Sequence, residues 1–250
     1  MTPPLLAVER VSHSFGRVEA LRDVSLGVEA GRVTCLLGDN GAGKSTLIGI
    51  LSGVHRPTSG RVLLNGAPVQ LDSPRDALER GIATVHQDLA LVPLMSVWRN
   101  FFLGAETTRG RGPLRRIDVD ACRRVARDAL AGLGIEGREV DQPVGTLSGG
   151  ERQALAIARA LQRGARVLIL DEPTAALGVR QAALVLRLIE STRDRGVGIV
   201  FVTHNSQHAA AVGDRFVVLR RGSVVVEHER GSIEAAALAR LMEGLADGEA

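Results

Sequence analysis

A glycine-rich segment of this chain has the spacing of a loop that binds phosphate. The segment Gly38-Asp39-Asn40-Gly41-Ala42-Gly43-Lys44-Ser45 follows an apolar run and precedes a helical pattern. Glycines let a backbone curl until successive N–H groups point at one anion, and the helix that follows adds its positive N-terminal end. The alternative is a glycine-rich turn that only caps a core helix. The strand before the loop and the helix after it favour phosphate binding.

Side chains within this segment have the chemistry to hold a nucleoside triphosphate. The ammonium of Lys44 can lie between the β- and γ-phosphates, and the hydroxyl of Ser45 can ligate Mg²⁺. Thr46 can add a contact to the α-phosphate. We therefore predict that the chain binds and hydrolyses ATP with Mg²⁺. The predicted phosphate contacts are made by Gly38, Asn40, Gly41, Ala42, Gly43, Lys44, Ser45 and Thr46.

Two carboxylates follow a second apolar run, residues 167–170. Asp171 at the end of this predicted strand is expected to hold Mg²⁺ through water. Glu172 would then face the γ-phosphate, where it can orient or deprotonate the attacking water. Alone, the pair is equally consistent with two solvated acids before Pro173. The phosphate loop makes catalysis the favoured interpretation.

Two further polar residues come at the ends of apolar runs. His204 follows residues 199–203 and reaches the same sheet edge if its strand neighbours the strand of Asp171. Its imidazole can then hydrogen-bond the γ-phosphate or its water. Gln87, after residues 82–86, can ligate Mg²⁺ or hold the water. The predicted catalytic set is Lys44, Gln87, Glu172 and His204, and the predicted metal ligands are Ser45, Gln87 and Asp171.

Another glycine pair opens a helical pattern at Leu147-Ser148-Gly149-Gly150-Glu151. Ser148 and Glu151 have the spacing of a capping box, so one interpretation is that the segment only starts a helix. Gly149 and Gly150 are poor helix formers and cost stability unless something must approach the backbone. A phosphate at the start of the helix would be such a group.

The elements that must position these residues alternate between strand and helix. Continuous apolar runs at residues 33–37, 167–170 and 199–202 are typical of parallel strands covered on both faces, with helical patterns between them. This alternation predicts an α/β fold. Residues 6–28 and 60–71 indicate a small antiparallel sheet, and residues 88–161 are mostly helical in pattern. Residues 217–219 and 224–226, separated by residues 220–223, indicate a hairpin.

The composition narrows the classes of function that we expect. Formal net charge is +3, from 31 Lys and Arg against 28 Asp and Glu, so charge gives no reason to expect a nucleic-acid partner. The two cysteines suggest no disulfide framework, which fits a reducing cytosol. No apolar run approaches the roughly 20 residues of a membrane span. We expect a soluble, cytoplasmic protein that can still dock on a membrane protein.

Together, the motifs resemble the nucleotide-binding domain of ATP-binding-cassette (ABC) proteins over nearly the whole chain. The matching pieces occur in the family's order: Phe15, residues 38–46, Gln87, residues 147–153, residues 167–172 and His204. In that family two such domains pack head to tail. The resemblance implies that Ser148, Gly149 and Gly150 of one copy close over the γ-phosphate held by the other.

The resemblance also implies a fold and a base contact. The fold would be a RecA-like P-loop NTPase core with a small antiparallel β subdomain and an inserted helical subdomain. The core and β lobe would comprise residues 1–87 and 165–250, and the helical lobe residues 88–164. Phe15 corresponds to the aromatic residue that stacks on adenine, and ordinary core packing is the alternative.

Four phrases look most like the ATPases of bacterial sugar importers of the ribose and fructose type. These are residues 38–46, 85–91, 142–148 and 171–179. They imply that the chain, on the inner face of the cell membrane, drives a permease that imports a monosaccharide delivered by an external sugar-binding protein. The chain carries one cassette, so a second copy or a paralogue would complete the dimer.

One residue departs from the broad family. Gly178 stands where an Asp usually helps to couple the two sites, although the sugar-importer branch resembles this chain in having Gly. Two other functions stay open: an ABC ATPase acting on nucleic acid or ribosomes, and a non-catalytic nucleotide-binding subunit. Neither long coiled insertions nor basic arms are visible, which disfavours the first. Intact Lys44, Asp171, Glu172 and His204 disfavour the second.

Overall fold

The computed structural model describes residues 3–110, 112–133, 135 and 139–242. Strands and helices alternate through most of these ranges. The strands are β1 (Leu6–Phe15), β2 (Val18–Val28), β3 (Val33–Leu37), β4 (Ser59–Leu64), β5 (Ala67–Val69), β6 (Ile82–Val85), β7 (Thr108–Arg109), β8 (Arg116–Ile117), β9 (Val167–Asp171), β10 (Gly198–Val202), β11 (Arg215–Arg220) and β12 (Ser223–Glu229). The α-helices are α1 (Lys44–Leu51), α2 (Pro74–Glu79), α3 (Val97–Phe102), α4 (Val119–Ala131), α5 (Gly149–Gln162), α6 (Val179–Asp194), α7 (Ser206–Val212) and α8 (Ala235–Met242).

A six-stranded sheet forms the centre of the molecule, in the order β12-β11-β3-β10-β9-β6. Its inner pairs are parallel, and only β12 runs antiparallel, paired with β11. Every residue of β3 and β10 is buried, which explains their continuous apolar sequences. The predicted parallel α/β sheet is thus confirmed. The carboxyl ends of β3, β6, β9 and β10 consequently meet at one edge.

A second, antiparallel sheet has the order β2-β1-β4-β5, as the alternating patterns of residues 6–28 and 60–71 predict. Strands β1 and β2 form a hairpin in which Phe15 pairs with Val18. Apolar side chains of both sheets and of α1 share one core, which ties the hairpin to the helix that follows the glycine-rich loop.

The middle of the chain is mainly helical. Helices α3, α4 and α5 enclose a separate core around Trp98, Phe101 and Phe102. A short hairpin of β7 and β8, which the sequence patterns do not predict, lies between α3 and α4. The lobe boundaries at 87/88 and 164/165 stay a prediction, and residues 1–2, 111, 134, 136–138 and 243–250 of that division lie outside the described residues. Across the described chain, no helix combines the length and apolar character needed to cross a membrane.

Candidate active site

The loop between β3 and α1 owes its shape to glycine. Gly38, Gly41 and Gly43 have φ angles of 142°, 81° and 108°, where side chains other than hydrogen are strained. A Cβ at Gly38 would lie 2.2 Å from the carbonyl oxygen of Leu219, and one at Gly43 would lie 2.7 Å from that of Ala20. The loop is therefore wedged against β11 and β2. Torsion favours glycine at all three positions, and space requires it at Gly38 and Gly43.

Helix α1 begins without a side-chain cap and has no acidic residue in its first turn. Its partial positive end is thus left for a ligand. Lys44, the first helical residue, is buried, and its Nζ donates to the carbonyl oxygens of Gly38 at 2.5 Å and Asp39 at 3.0 Å. The ammonium is folded over the loop, where it can meet an anion held by the loop.

A cleft of about 460 Å³ lies in front of the loop. Residues 39–41 and 43–46 line it together with Gln87, Asp171 and Glu172, so the structure brings most of the predicted site together. Gly38 and Ala42, which were also predicted to contact phosphate, are buried. The N–H of Ala42 donates to the Asp39 carbonyl at 3.1 Å.

Sequence patterns did not point to the opposite wall of this cleft, which is formed by residues 18–20 and by Arg221 and Gly222. The wall comes from the β1–β2 hairpin and from the turn between β11 and β12. Both segments were recognised as parts of antiparallel pairs. Their position beside the loop depends on the packing of the two sheets.

Asp171 ends β9 at the floor of the cleft. Burial is the main cause that raises the pKa of its carboxyl group, and the neighbouring charge of Glu172 adds to the effect. His86, one residue before Gln87, and Lys44 act in the opposite direction. The Nδ1 atom of His86 lies 3.9 Å from the carboxylate of Asp171. Sequence patterns did not point to a role for His86, although it precedes Gln87.

Glu172 has an unusual backbone and an incompletely bonded side chain. Its φ angle is 50°, a left-handed conformation that costs a non-glycine residue about 1–3 kcal/mol. Its N–H donates to Val202 O at 3.0 Å, which fixes this conformation beside β10. Oε1 lies 2.9 Å from Nδ1 of His204, whereas Oε2 is buried without a hydrogen-bond partner in the described chain. Backbone strain and an unsatisfied buried carboxylate oxygen occur often at functional sites, so Glu172 is a candidate functional residue.

His204 meets the condition on which its predicted role depended, because β10 pairs with β9 in parallel. Its side chain is 65% exposed and does not itself line the cleft, but its ring contacts Glu172, which does. Four residues on, the Nδ1 atom of His208 lies 3.0 Å from the hydroxyl of Thr174. That contact anchors the segment after Glu172 to α7, and nothing in the sequence pattern pointed to it.

The start of α5 has the predicted capping box. The N–H of Ser148 donates to Glu151 Oε2 at 2.7 Å, and the N–H of Glu151 donates to Ser148 Oγ at 3.4 Å. Residues 148–150 do not line the cleft in front of the phosphate loop of their own chain. The structure therefore does not bring this segment and the loop into one site.

The glycines of this segment have a reason to be glycine within the chain. A Cβ at Gly150 would lie 3.2 Å from both Cβ and the carbonyl oxygen of Gln181 on α6. A Cβ at Gly149 would lie 2.7 Å from a methyl group of Leu177. Close packing against α6 thus accounts for Gly150 without any phosphate, whereas at Gly149 only the ends of side chains would have to move. The glycine pair alone therefore does not establish a ligand.

A second cleft, of about 470 Å³, lies between residues 87–89, the start of α5 and the segment that follows Glu172. Gln87 and Glu172 line both clefts, so Gln87 stands where they meet. Gln153 of α5 also lines the second cleft, and its buried Nε2 has no partner within the described residues. Gln87 is thus placed between the phosphate loop and the helical part of the chain.

Phe15 is 48% exposed at the end of β1, so ordinary core packing does not describe it. Its ring contacts His13 at a centroid distance of 4.5 Å and His55 at 5.3 Å. Gly178 is the N-cap residue of α6, and its N–H donates to Gln181 Oε1 at 3.4 Å. No atom would lie within 4 Å of a Cβ at Gly178, so no steric reason requires glycine there.

The sheet order, the loop and the strand-end polar residues define the fold of a P-loop NTPase. The family model described as ABC transporter matches residues 21–175, more than half of the chain. The chain belongs to the ABC transporter family. The resemblance inferred from residues 38–46 and 147–153 is confirmed.

Similar proteins of the family include sugar-import subunits. The chain is 39% identical to the xylose/arabinose import ATP-binding protein of Sulfolobus acidocaldarius, with 98% of this chain and 96% of that protein covered. It is 43% identical to the ribose import ATP-binding protein of Chromobacterium violaceum, with coverages of 94% and 46%. The chain therefore spans about half the length of that relative and nearly the full length of the other.

Solved structures agree with the fold. One is cbiO1 from Clostridium perfringens, described as part of the ABC transporter complex cbiONQ, with 30% identity, a TM-score of 0.77 and coverages of 91% and 89%. Another is a dimeric ATP-binding cassette in a post-hydrolysis state bound to ADP and Pi, with 27% identity, a TM-score of 0.74 and coverages of 91% and 100%.

Proposed function

We propose that this chain is the ATP-hydrolysing subunit of an ABC importer. The observation that carries the proposal is the set of groups around one cleft: an uncapped helix start, a lysine, an aspartate and a strained glutamate that contacts a histidine. A regulatory subunit would not need a carboxylate beside the phosphate loop that contacts His204 and keeps a buried, unbonded oxygen. Catalysis gives that arrangement a purpose.

In the proposed reaction the loop and Lys44 hold the β- and γ-phosphates. Glu172 accepts a proton from the attacking water, whose oxygen forms the new bond to the γ-phosphorus while the bond to the β-γ bridging oxygen breaks. Lys44 stabilises the charge that develops on the γ-phosphoryl oxygens. His204, whose Nδ1 lies 2.9 Å from Oε1 of Glu172, is proposed to hydrogen-bond the γ-phosphate or the water.

The donor set in the cleft fits Mg²⁺. Ser45, Gln87 and Asp171 supply a hydroxyl, an amide and a carboxylate, all of them oxygen donors that line the same cleft. No cluster of three His, Cys, Asp or Glu side chains able to hold a metal occurs among the described residues, and Mg²⁺ with ATP does not require one. When bound, Mg²⁺ neutralises charge on the β- and γ-phosphates.

Two copies of the chain, or this chain and a paralogue, are proposed to enclose each nucleotide. Residues 148–150 lie outside the cleft of their own loop, so they are free to close over the nucleotide of a second cassette. The dimeric cassette bound to ADP and Pi, described above, supports this arrangement. Phe15 is proposed to stack on the adenine.

The solute is proposed to be a monosaccharide. Two relatives at 39% and 43% identity carry names of ribose or xylose/arabinose import, and the phrases at residues 85–91 and 171–179 point in the same direction. Permease subunits would dock near Gln87 and the helical part of the chain. This docking would hold the chain at the inner face of the membrane. An external sugar-binding protein would deliver the solute.

Two assays test this function. Phosphate release by the purified chain should require both ATP and Mg²⁺, whereas tight ATP binding without turnover would indicate a regulatory subunit. Stimulation of ATPase activity by RNA or DNA would instead support the nucleic-acid alternative. Deleting the gene for this chain should abolish uptake of a particular pentose or hexose by the cells. Unchanged uptake of all monosaccharides would reject the proposal that the solute is a monosaccharide.

A further inference from the structure

Three aromatic rings form a cluster beside the proposed nucleotide site. His13 and Phe15 lie on the same face of β1, and their ring centroids are 4.5 Å apart with an interplanar angle of 81°. His55 stacks on His13 at 5.5 Å with an angle of 22°, and meets Phe15 edge-on at 5.3 Å. We call His13, Phe15 and His55 the ring cluster.

His13 contributes packing rather than hydrogen bonding to this cluster. Both of its ring nitrogens are buried, and neither has a hydrogen-bond partner in the described chain. Burying polar atoms without partners costs free energy, so the site keeps an imidazole at that expense. The ring meets Phe15 edge-on and stacks on His55, and both geometries are attractive between aromatic rings.

His55 connects the cluster to the helix that begins at the phosphate loop. Its N–H donates to the carbonyl oxygen of Gly49 in α1 at 3.0 Å. A Cβ at Gly49 would lie only 2.5 Å from Cδ2 of the His55 ring. Glycine inside a helix costs about 1 kcal/mol relative to alanine, and the room left for the imidazole explains its presence.

Further hydrogen bonds fasten β1 to the segment that carries His55. The N–H of Thr58 donates to Ser12 O at 2.8 Å, and the N–H of Ser14 donates to Thr58 Oγ1 at 3.2 Å. Hydrogen bonds to α1 and to β1 therefore fix the position of His55 relative to His13 and Phe15. Phe15 remains 48% exposed, and residues 18–20 of the same hairpin line the phosphate cleft.

We infer that His13 and His55 are positioning residues that hold the ring of Phe15 in place for stacking on the nucleobase. The cluster links base recognition to α1 and hence to the loop that holds the phosphates. This inference rests on the proposed function, because it needs ATP in the cleft. Neither histidine needs to contact the nucleotide itself.

The test compares ATP with inorganic tripolyphosphate, which carries the phosphates without a base. In purified full-length chain, His13→Ala and His55→Ala should each weaken ATP binding about 3–10-fold, the worth of one aromatic pair. Tripolyphosphate binding should not change. His13→Phe should retain most of the ATP affinity, because it keeps a ring at this position. His228→Ala, on β12 away from the cleft, is the matched histidine control.

A double-mutant cycle with Phe15→Ala makes the test specific. Phe15→Ala alone should weaken ATP binding about tenfold, and adding His55→Ala to it should cause no further loss. The inference is overturned if the histidine variants bind ATP as the wild type does, if they lose both ligands equally, or if the losses simply add. His55→Ala, at a half-buried position, carries the test should His13→Ala fail to fold.

The wild-type chain separates failure of this inference from failure of the function. If it binds neither ATP nor tripolyphosphate, the proposed function fails. If it binds both equally well, the base makes no contribution and only the ring-cluster inference is overturned.

Discussion

Two glycine-rich segments each precede a helix in this chain, yet they are built differently. The loop before α1 has three glycines at positive φ, and the helix lacks a side-chain cap. The start of α5 is closed by a reciprocal capping box, and Gly149 and Gly150 belong to the helix itself. Glycine serves backbone shape in the first segment and helix packing in the second.

The evidence for a phosphate contact is therefore different at the two segments. Phosphate binding at the loop follows from its torsions, the uncapped helix and the neighbouring carboxylates, all within one cleft. A nucleotide contact at the start of α5 rests on family resemblance, since packing against Gln181 already explains Gly150. The loop is expected to bind ATP alone, and the start of α5 to act only when two copies meet.

The largest effect is expected where the chemistry is placed. Glu172→Gln should slow hydrolysis roughly 10²–10⁴-fold, the usual contribution of a positioned base, while ATP binding persists. Phosphate release and nucleotide titration measure the two effects. Glu234→Gln, an exposed position before α8, is the matched control. Near-normal turnover of purified Glu172→Gln protein would remove Glu172 from the mechanism.

Lys44→Ala tests whether the loop alone determines affinity. Removing the ammonium deletes a charge-assisted contact to the phosphates, so ATP affinity should fall on the order of 100-fold. Nucleotide titration of the dilute, monomeric chain measures this loss. Arg187→Ala on α6 removes an exposed cation as a control. Unchanged affinity would mean that ATP is not held by this loop.

The two reasons for glycine predict different stability changes. Gly43→Ala forces a side chain to φ 108° and places Cβ 2.7 Å from a backbone oxygen, so the free energy of unfolding should fall by about 2 kcal/mol or more. Gly149→Ala meets the end of a flexible Leu177 side chain and gains helix propensity, so it should change by less than about 1 kcal/mol.

Urea unfolding of both variants measures these changes. The contrast between the two segments fails if the two substitutions cost the same.

The smallest effect concerns Asp171. Its pKa is raised in the folded chain, mainly by burial, so the folded state binds this proton more tightly than the unfolded state does. Its favourable contribution is full at low pH and is lost as pH rises from the ordinary value of 3.8 through the raised pKa. Asp171→Asn should therefore raise stability at pH 8, without nucleotide, by about 0.5 kcal/mol or less.

Stability curves from pH 4 to pH 8 test this sign. Asp120→Asn, at an exposed carboxylate, should show no such gain. A loss of stability in Asp171→Asn across the whole range would contradict the assignment.

Sequence patterns predicted those parts of the fold whose signal lies within a single segment of the chain. The apolar runs of β3, β9 and β10 predicted a buried parallel sheet, and the sheet order placed His204 beside Glu172 as anticipated. The β11–β12 hairpin was also visible as two valine-rich runs around Gly222. Such features follow from residue type and period, which a single segment displays.

Contacts between distant segments could not be predicted in the same way. Gly150 lies against Gln181 because α5 packs on α6. The residues around Gly150 in the sequence do not indicate that contact. Equally, the position of His86 beside Asp171 depends on the pairing of β6 with β9. The short β7–β8 hairpin was missed because strands of two residues show no period.

The central claim, that the loop binds ATP alone while the start of α5 closes over a second copy, is tested most directly at Ser148. In the Glu172→Gln background, Ser148→Asp keeps an N-cap but opposes the γ-phosphate, whereas Ser148→Asn keeps the cap without charge. Light scattering with ATP should show dimers for Ser148→Asn and monomers for Ser148→Asp, both binding ATP with equal affinity when dilute. An ATP-driven dimer of Ser148→Asp, or loss of ATP affinity in its monomer, would contradict the claim.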